Sequence, residues 1–131
     1  MTDESPSEYL VLSRGRWDAD ADPADIQVAI NEFYAWLERM IAEGKMKTGQ
    51  RLDTPGATVS KKGTVTDGPF GESKEVVGGY WFILARSLEE AAQIAAQNPT
   101  MQYGLFYEIR PIDPQRGSAF NVTNETPVRG G

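Results

Sequence analysis

The feature that most constrains the fold is an uninterrupted apolar run in the second half of the chain, Tyr80-Trp81-Phe82-Ile83-Leu84. A strand with one face in water alternates polar and apolar side chains, but every residue of this run is apolar. The run predicts a strand over Gly79–Ala85 that is covered on both faces. Tyr80 and Phe82 would lie on one face and Trp81 on the other.

A helix with clear start and stop signals is predicted in the first half of the chain. Asp22 can cap its N-terminus, Pro23 suits the first helical position, and Gly44 ends it. Apolar residues recur between these signals with the spacing of an amphipathic helix. They are Ile26, Ile30, Phe33, Leu37 and Ile41.

A second helix is predicted from Ser87, which forms a capping-box pattern with Glu90, to a point before Pro99. Further strands are predicted over residues 9–12, 45–52, 57–66 and 105–112. The order is β-α-β-β-α-β with an inserted hairpin strand. This order predicts an α+β, ferredoxin-like fold.

The length of 131 residues suits one domain. We expect a flexible N-terminus over residues 1–7, a folded domain over 8–112, and a tail over 113–131 that is flexible or packs on a partner. Two helices on one face of the sheet would leave the other face as an exposed apolar patch. A second copy of the chain would cover it economically, which predicts a homodimer. The tail or a different partner is the competing explanation.

Composition excludes several classes of function. The net charge of -6 and the absence of a long basic run argue against nucleic-acid binding. The chain has no Cys and no His, which removes thiolate and imidazole ligands, so we expect no metal site. Cofactor-binding signatures are absent as well, and we expect no cofactor. No apolar run approaches the roughly 20 residues that span a bilayer, so we expect a cytoplasmic protein without membrane contact.

The most distinctive motif is Asp67-Gly68-Pro69-Phe70, which is followed by Glu72-x-Lys74-Glu75 and by Gly78-Gly79 before the aromatic strand. Asn98-Pro99 ends the second helix, and Glu108-Ile109-Arg110-Pro111-Ile112 closes the last strand. With these residues the chain resembles the YCII-related family, in particular the branch named after the Asp-Gly-Pro-Phe tetrapeptide. The resemblance implies a dimeric α/β-barrel of ferredoxin-like subunits. It implies little about chemistry, because the superfamily includes isomerases, monooxygenases and small-molecule binders.

In the wider family, a His on the first helix and an Asp after the second helix have been proposed as an active-site pair. The nearest positions in this sequence are Phe33 and Asn98. Neither side chain can transfer a proton in that way, so the resemblance does not carry this mechanism over to the chain.

Asp67 is the candidate catalytic residue, because a carboxylate fixed by a Gly/Pro turn can act as a general base. An Asx-turn that only holds the loop is the alternative interpretation. Lys74 and Glu75 are candidate ligand-binding residues beside it, where the lysine would bind an anion and the glutamate would accept a proton. A solvated ion pair is the simpler explanation for these two.

Four further residues are candidates for ligand binding. Tyr80 and Phe82 could line a pocket, although aromatic residues also dominate cores and interfaces. Glu108 and Arg110 project to the same side of the last strand and could orient a polar substrate, or they could form a structural ion pair.

Two hypotheses for function follow. The first is a homodimer that binds a small molecule in a cleft near Asp67 and performs cofactor-free acid/base chemistry. The second is a non-enzymatic regulatory or protein-interaction module. The family resemblance links such modules to transcription initiation, and an acidic chain can bind a basic protein directly.

Overall fold

The computed structural model describes residues 5–67 and 76–128, and it describes the side chains of these residues except 64–67. The helices are α1 (Pro23–Ala42) and α2 (Leu88–Ala95), and a short 3₁₀ helix (Pro99–Tyr103) follows α2. The strands are β1 (Ser7–Arg14), β2 (Met46–Arg51), β3 (Gly56–Ser60), β4 (Gly63–Asp67), β5 (Val77–Ala85) and β6 (Phe106–Pro111).

Four of the strands form one antiparallel sheet in the order β2-β5-β1-β6. The strands β3 and β4 form a separate two-stranded hairpin between β2 and β5. Without this hairpin, the element order and the strand order are those of the ferredoxin-like β-α-β-β-α-β arrangement. The predicted α+β, ferredoxin-like fold with an inserted hairpin is therefore confirmed.

The helix ends lie where the capping residues predicted them. The Asp22 side chain accepts a hydrogen bond from the Ala24 amide, and Pro23 occupies the first turn of α1. After α1, Gly44 takes a φ of +75°, which favours glycine. The Ser87 hydroxyl accepts a hydrogen bond from the Glu90 amide at the start of α2.

One part of the α1 prediction is wrong. The face that packs on the sheet is rotated from the predicted stripe, and Ile41 is exposed. The bulky side chains on the adjacent face can bury more apolar surface, and they decide the orientation of the helix. The buried residues of α1 are Ala29, Trp36, Leu37 and Met40.

The two faces of the sheet differ in burial. On the helix side, Val11, Trp81 and Ile83 are buried in the core. On the other side, which we call the open face, alternate residues of the same strands are only partly covered. Within the described residues, β5 is therefore fully covered on one face only, although its sequence predicts cover on both. The apolar residues of the open face are Leu10, Leu12, Tyr80, Phe82, Leu84 and Phe106.

Residues 112–128 follow the last strand and contain turns but no helix or strand. Phe120, Val122 and Val128 are almost completely exposed there. The division into an N-terminal segment, a domain and a tail stays a prediction. None of the helices in the described ranges has the length and apolar character needed to cross a lipid bilayer.

Candidate functional site

A cavity of about 390 Å³ lies between α1 and one end of the four-stranded sheet. The C-terminal ends of β1 and β2 meet the N-terminal ends of β5 and β6 there, because the strands are antiparallel. The helix supplies Ile30, Phe33, Tyr34 and Leu37 to the lining. The remaining lining residues are Ser13, Trp17, Thr48, Gly49, Gln50, Arg51, Gly78, Gly79, Tyr80, Trp81, Thr100, Leu105 and Tyr107.

Aromatic side chains form a continuous wall of the cavity. The ring centroid of Trp81 lies 5.1 Å from that of Phe33 and 5.2 Å from that of Tyr107, and both ring pairs are tilted. Tilted arrangements at this distance suit the charge distribution of aromatic rings. The wall is therefore a packed unit that presents flat apolar surface to the cavity.

A distortion of β2 shapes the edge of the cavity. The register of β2 against β5 shifts between Lys47 and Gln50, where a bulge is formed. A Cβ atom on Gly49 would overlap the carbonyl oxygen of Tyr80. Only glycine therefore allows the two strands to approach this closely.

A directional chain of hydrogen bonds lies at the inner end of the cavity. The Asn98 side-chain oxygen Oδ1 accepts from the Thr100 amide at 3.0 Å and from the Thr100 hydroxyl at 2.6 Å. An amide nitrogen could not accept either bond, so the orientation of the Asn98 amide is fixed. Since the only hydroxyl proton of Thr100 is used here, Tyr107 must donate to Thr100 in the short bond that joins their hydroxyl groups.

Burial raises the pKa of the Tyr107 phenol above its usual value of 10.0. The hydrogen bond with Thr100 opposes this effect, and the nearby side chains of Ser13 and Asn98 act in the same direction. The Nδ2 atom of Asn98 makes no hydrogen bond of normal geometry. Because burial dominates, Tyr107 is a neutral phenol at neutral pH and keeps the proton that it donates to Thr100.

Two buried donors at or beside the cavity have no hydrogen-bond acceptor among the described residues. They are Nδ2 of Asn98, a residue that is 4% exposed, and Nε1 of Trp81. Buried polar groups without partners are uncommon in folded proteins, since each one carries a desolvation penalty. A ligand with an acceptor could satisfy the donors near the cavity, whereas Nε1 of Trp36, which also has no described acceptor, belongs to the core.

The charged groups around the cavity are unbalanced. Arg51 lines the cavity, and no described carboxylate lies within ion-pair distance of it. The described part of the lining contains no Asp or Glu at all. The described lining therefore carries a positive charge, and it offers no carboxylate base for proton abstraction.

The predicted residues of β5 and β6 are divided between two surfaces. Tyr80 contributes to the cavity, although its ring packs edge-on against Phe82 on the open face at 6.0 Å. Phe82, Glu108 and Arg110 are not part of the cavity. Glu108 binds Arg14 at 2.6 Å and Arg110 at 3.2 Å on the open face, so these charges form a surface network. Their assignment to ligand binding remains a prediction.

The other three predicted residues belong to the Asp-Gly-Pro-Phe region. The backbone of Asp67 ends β4 and pairs with Gly56, and the Asp67 side chain is outside the described part. Lys74 and Glu75 also lie outside the described residues. Their roles therefore stay predictions.

Sequence reasoning missed the residues that make the polar end of the cavity, namely Ser13, Thr100 and Tyr107. One signal was present in the sequence. Asparagine before a proline often caps the backbone two residues later, which would place Asn98 on the Thr100 amide. The bond between Thr100 and Tyr107 had no signal, because hydroxyl residues are common and these two lie on different elements. The two positions noted for the family resemblance, Phe33 and Asn98, lie in one region. Phe33 lines the cavity, and Asn98 accepts a hydrogen bond from Thr100, which also lines it.

No curated protein matches the chain. A solved structure of 5-chloro-2-hydroxyhydroquinone dehydrochlorinase (TftG) from Burkholderia phenoliruptrix AC1100, in complex with 2,5-dihydroxybenzoquinone, is similar at 19% sequence identity and a TM-score of 0.38. That similarity covers 77% of this chain and 90% of the other. The model of the YCII-related domain matches residues 8–115. This match spans most of the chain and confirms the resemblance read from the motifs, and the chain therefore belongs to the YCII-related family.

Proposed function

We propose that this chain is a cytoplasmic, homodimeric protein that binds a small molecule in the cavity between α1 and the sheet. The observation that carries the proposal is the hydrogen-bonded chain of Tyr107, Thr100 and Asn98, which lies beside an aromatic cavity of about 390 Å³. Ligand sites are usually concave, largely apolar and equipped with a few fixed polar groups. This cavity has all three properties.

The cavity is better explained as a binding site than as a packing defect. Its volume lies within the range of about 300–1,000 Å³ that is typical of small-molecule sites. The cavity is open to solvent where Arg51 is exposed, so a ligand can enter it. A ligand there would cover the aromatic wall and approach the unpartnered donors.

We extend the proposal to acid/base chemistry at Asp67, without a cofactor. The segment 68–75 joins Asp67 to β5, and Gly78 and Gly79 at the start of β5 line the cavity. The chain therefore returns from Asp67 to the cavity within about ten residues. Since the described lining has no carboxylate, Asp67 and Glu75 are the candidates for the base. Lys74, between them in sequence, would bind an anionic group of the substrate.

The homodimer would form through the open face. Its apolar residues are flanked by Lys47 paired with Glu8 at 2.5 Å and by Glu108 paired with Arg14 and Arg110. These five charges sum to +1, from three cations and two anions, although the whole chain carries -6. Two copies repel each other least where the surface is nearly neutral, so charge favours this face for self-association.

The binding proposal can be tested with a pair of tryptophan substitutions on α1. Ile30 lines the cavity, whereas Val28 on the same helix is 55% exposed and lies outside it. A small-molecule library is screened by affinity selection and mass spectrometry against the purified chain. We expect at least one ligand whose binding is lost in Ile30→Trp and kept in Val28→Trp. Equal binding to both variants by every selected compound would contradict the proposal.

The assembly is tested by measuring mass in solution. We expect about twice the chain mass of 14.4 kDa. Phe82→Glu on the open face should yield monomers, and Ile41→Glu on the outer side of α1 should leave the dimer intact. A monomeric wild type that co-purifies with a stoichiometric protein partner would instead favour the interaction-module hypothesis.

The catalytic extension has its own test. Once a ligand is known, Asp67→Asn should abolish its turnover without preventing its binding, because asparagine keeps the size and polarity of the side chain but cannot accept a proton as a base. Unchanged turnover in this variant would remove Asp67 from the mechanism.

A further inference from the structure

We propose that the cavity selects a monocyclic aromatic carboxylate that also carries a hydroxyl group able to donate a hydrogen bond. The inference rests on the proposed binding function and adds the chemical class of the ligand. Three features of the cavity support it: the direction of its hydrogen bonds, the shape of its walls, and the single cation among its described lining residues.

The direction of the hydrogen bonds requires a donor on the ligand. Tyr107 gives its proton to Thr100, and Thr100 gives its proton to Asn98. The phenol has no second proton, so Tyr107, which lines the cavity, can offer only a lone pair to a ligand.

The walls favour a flat ring. Phe33, Trp81 and Tyr107 form a continuous aromatic surface, and Leu37 and Ile30 add aliphatic contacts from α1. A cavity of about 150 Å³ is sufficient to bind benzene. The volume of about 390 Å³ therefore accommodates one ring with substituents. Rings stack or pack edge-on against such walls, which an aliphatic chain cannot do.

The third feature is the charge of Arg51. This residue lines the cavity and is exposed on its open side. A guanidinium binds a carboxylate with two parallel hydrogen bonds, and no described carboxylate occupies it. An anionic substituent at the outer end of the ring would complete this pair. The hydroxyl group would then lie toward Tyr107.

A small panel of compounds tests the inference by titration calorimetry at pH 7. The probes are 3- and 4-hydroxybenzoate, and each is compared with analogues that lack one feature. Methoxybenzoate keeps the oxygen but has no proton to donate, hydroxybenzamide removes the negative charge, and hydroxycyclohexanecarboxylate removes the flat ring. We expect a hydroxybenzoate to bind best. Methoxybenzoate should bind about five- to tenfold more weakly, the effect of one lost hydrogen bond. Hydroxybenzamide loses the charge-assisted pair with Arg51 and hydroxycyclohexanecarboxylate loses the ring packing, and each should bind at least about fivefold more weakly.

Two substitutions assign the preferences to residues. Tyr107→Phe should reduce the advantage of hydroxybenzoate over methoxybenzoate to less than about twofold. Arg51→Gln should do the same for hydroxybenzoate over hydroxybenzamide and leave the hydroxyl preference unchanged. Arg39→Gln is the matched control, because Arg39 is an exposed arginine of α1 outside the cavity. This control should keep both preferences.

The outcomes separate this inference from the function on which it rests. Equal affinity for the hydroxy and methoxy compounds, or for the charged and uncharged ones, overturns the inference. It is also overturned if the panel fails to bind while a compound of another chemical class binds and loses its binding in Ile30→Trp. In that case the proposed binding function still stands. If no compound of any class binds in that manner, both are wrong.

Discussion

Removing the Thr100 hydroxyl should destabilise the protein more than its size suggests. Thr100→Val keeps the shape of a side chain that is 3% exposed, but it deletes a donor to Asn98 and the acceptor of Tyr107. Each lost bond costs about 1 kcal/mol, and the stranded phenol adds a desolvation penalty of about 1 kcal/mol or more. We expect the free energy of unfolding to fall by about 2–4 kcal/mol.

The double variant gives a sharper test, because the two residues share one bond. Tyr107→Phe alone should cost about 1 kcal/mol, since Thr100 can still donate to Asn98. When both hydroxyls are removed, no phenol is stranded. The double variant should therefore lose at least about 1 kcal/mol less than the sum of the single losses, a coupling typical of groups in direct contact.

Urea unfolding followed by tryptophan fluorescence measures these free energies. All variants are compared at one protein concentration, because self-association would add to apparent stability. Thr58→Val and Tyr34→Phe make the same chemical changes at exposed sites and should shift stability by less than about 0.5 kcal/mol. Additive losses at Thr100 and Tyr107, within about 0.3 kcal/mol, would refute the hydrogen-bond chain and the donor direction derived from it.

Three further variants test other features of the structure. Gly49→Ala should lower the free energy of unfolding by about 2–4 kcal/mol in urea titrations, because the new Cβ would overlap the Tyr80 carbonyl. Gly117 has open space around it, so the control Gly117→Ala should change this free energy little. Ser87→Ala removes the α2 cap and should cost about 1 kcal/mol in the same assay. Above about pH 10 the unfolded chain releases the Tyr107 proton while the folded chain retains it, so stability falls with rising pH. Thermal melts between pH 8 and 11 should show a smaller loss in Tyr107→Phe, and equal slopes would contradict the raised pKa.

The fold was largely predictable because its signals are local. Helix ends at Asp22, Gly44 and Ser87 depend on side-chain bonds and backbone angles within a few residues. The strand β5 was predictable from its apolar run. The buried side of α1 was not, because several faces of this helix carry apolar residues and packing against the sheet decides between them. Ile41 is exposed for this reason.

The site was less predictable because it is assembled from distant segments. Ser13 ends β1, Thr100 follows α2 and Tyr107 lies on β6, and their contacts depend on strand register. A one-residue slip of β6 would turn Tyr107 to the open face. The bulge at Gly49 likewise arises from pairing with β5, and its only sign in the sequence is a single glycine. The residue pattern of one strand shows neither its register against a neighbour nor the position of a bulge.

The polar end of the cavity also bears on whether the protein is an enzyme. A general base must accept a proton, but the raised pKa of Tyr107 and its donation to Thr100 keep it protonated. Ser13, Thr100 and Asn98 do not ionise near neutral pH. These residues can orient a ligand hydroxyl and cannot deprotonate it. In the proposed function, ligand binding in the cavity and proton transfer at Asp67 are separate tasks, and Asp67→Asn tests this division: ligand affinity should stay within about twofold while turnover is lost, whereas Tyr107→Phe should weaken affinity.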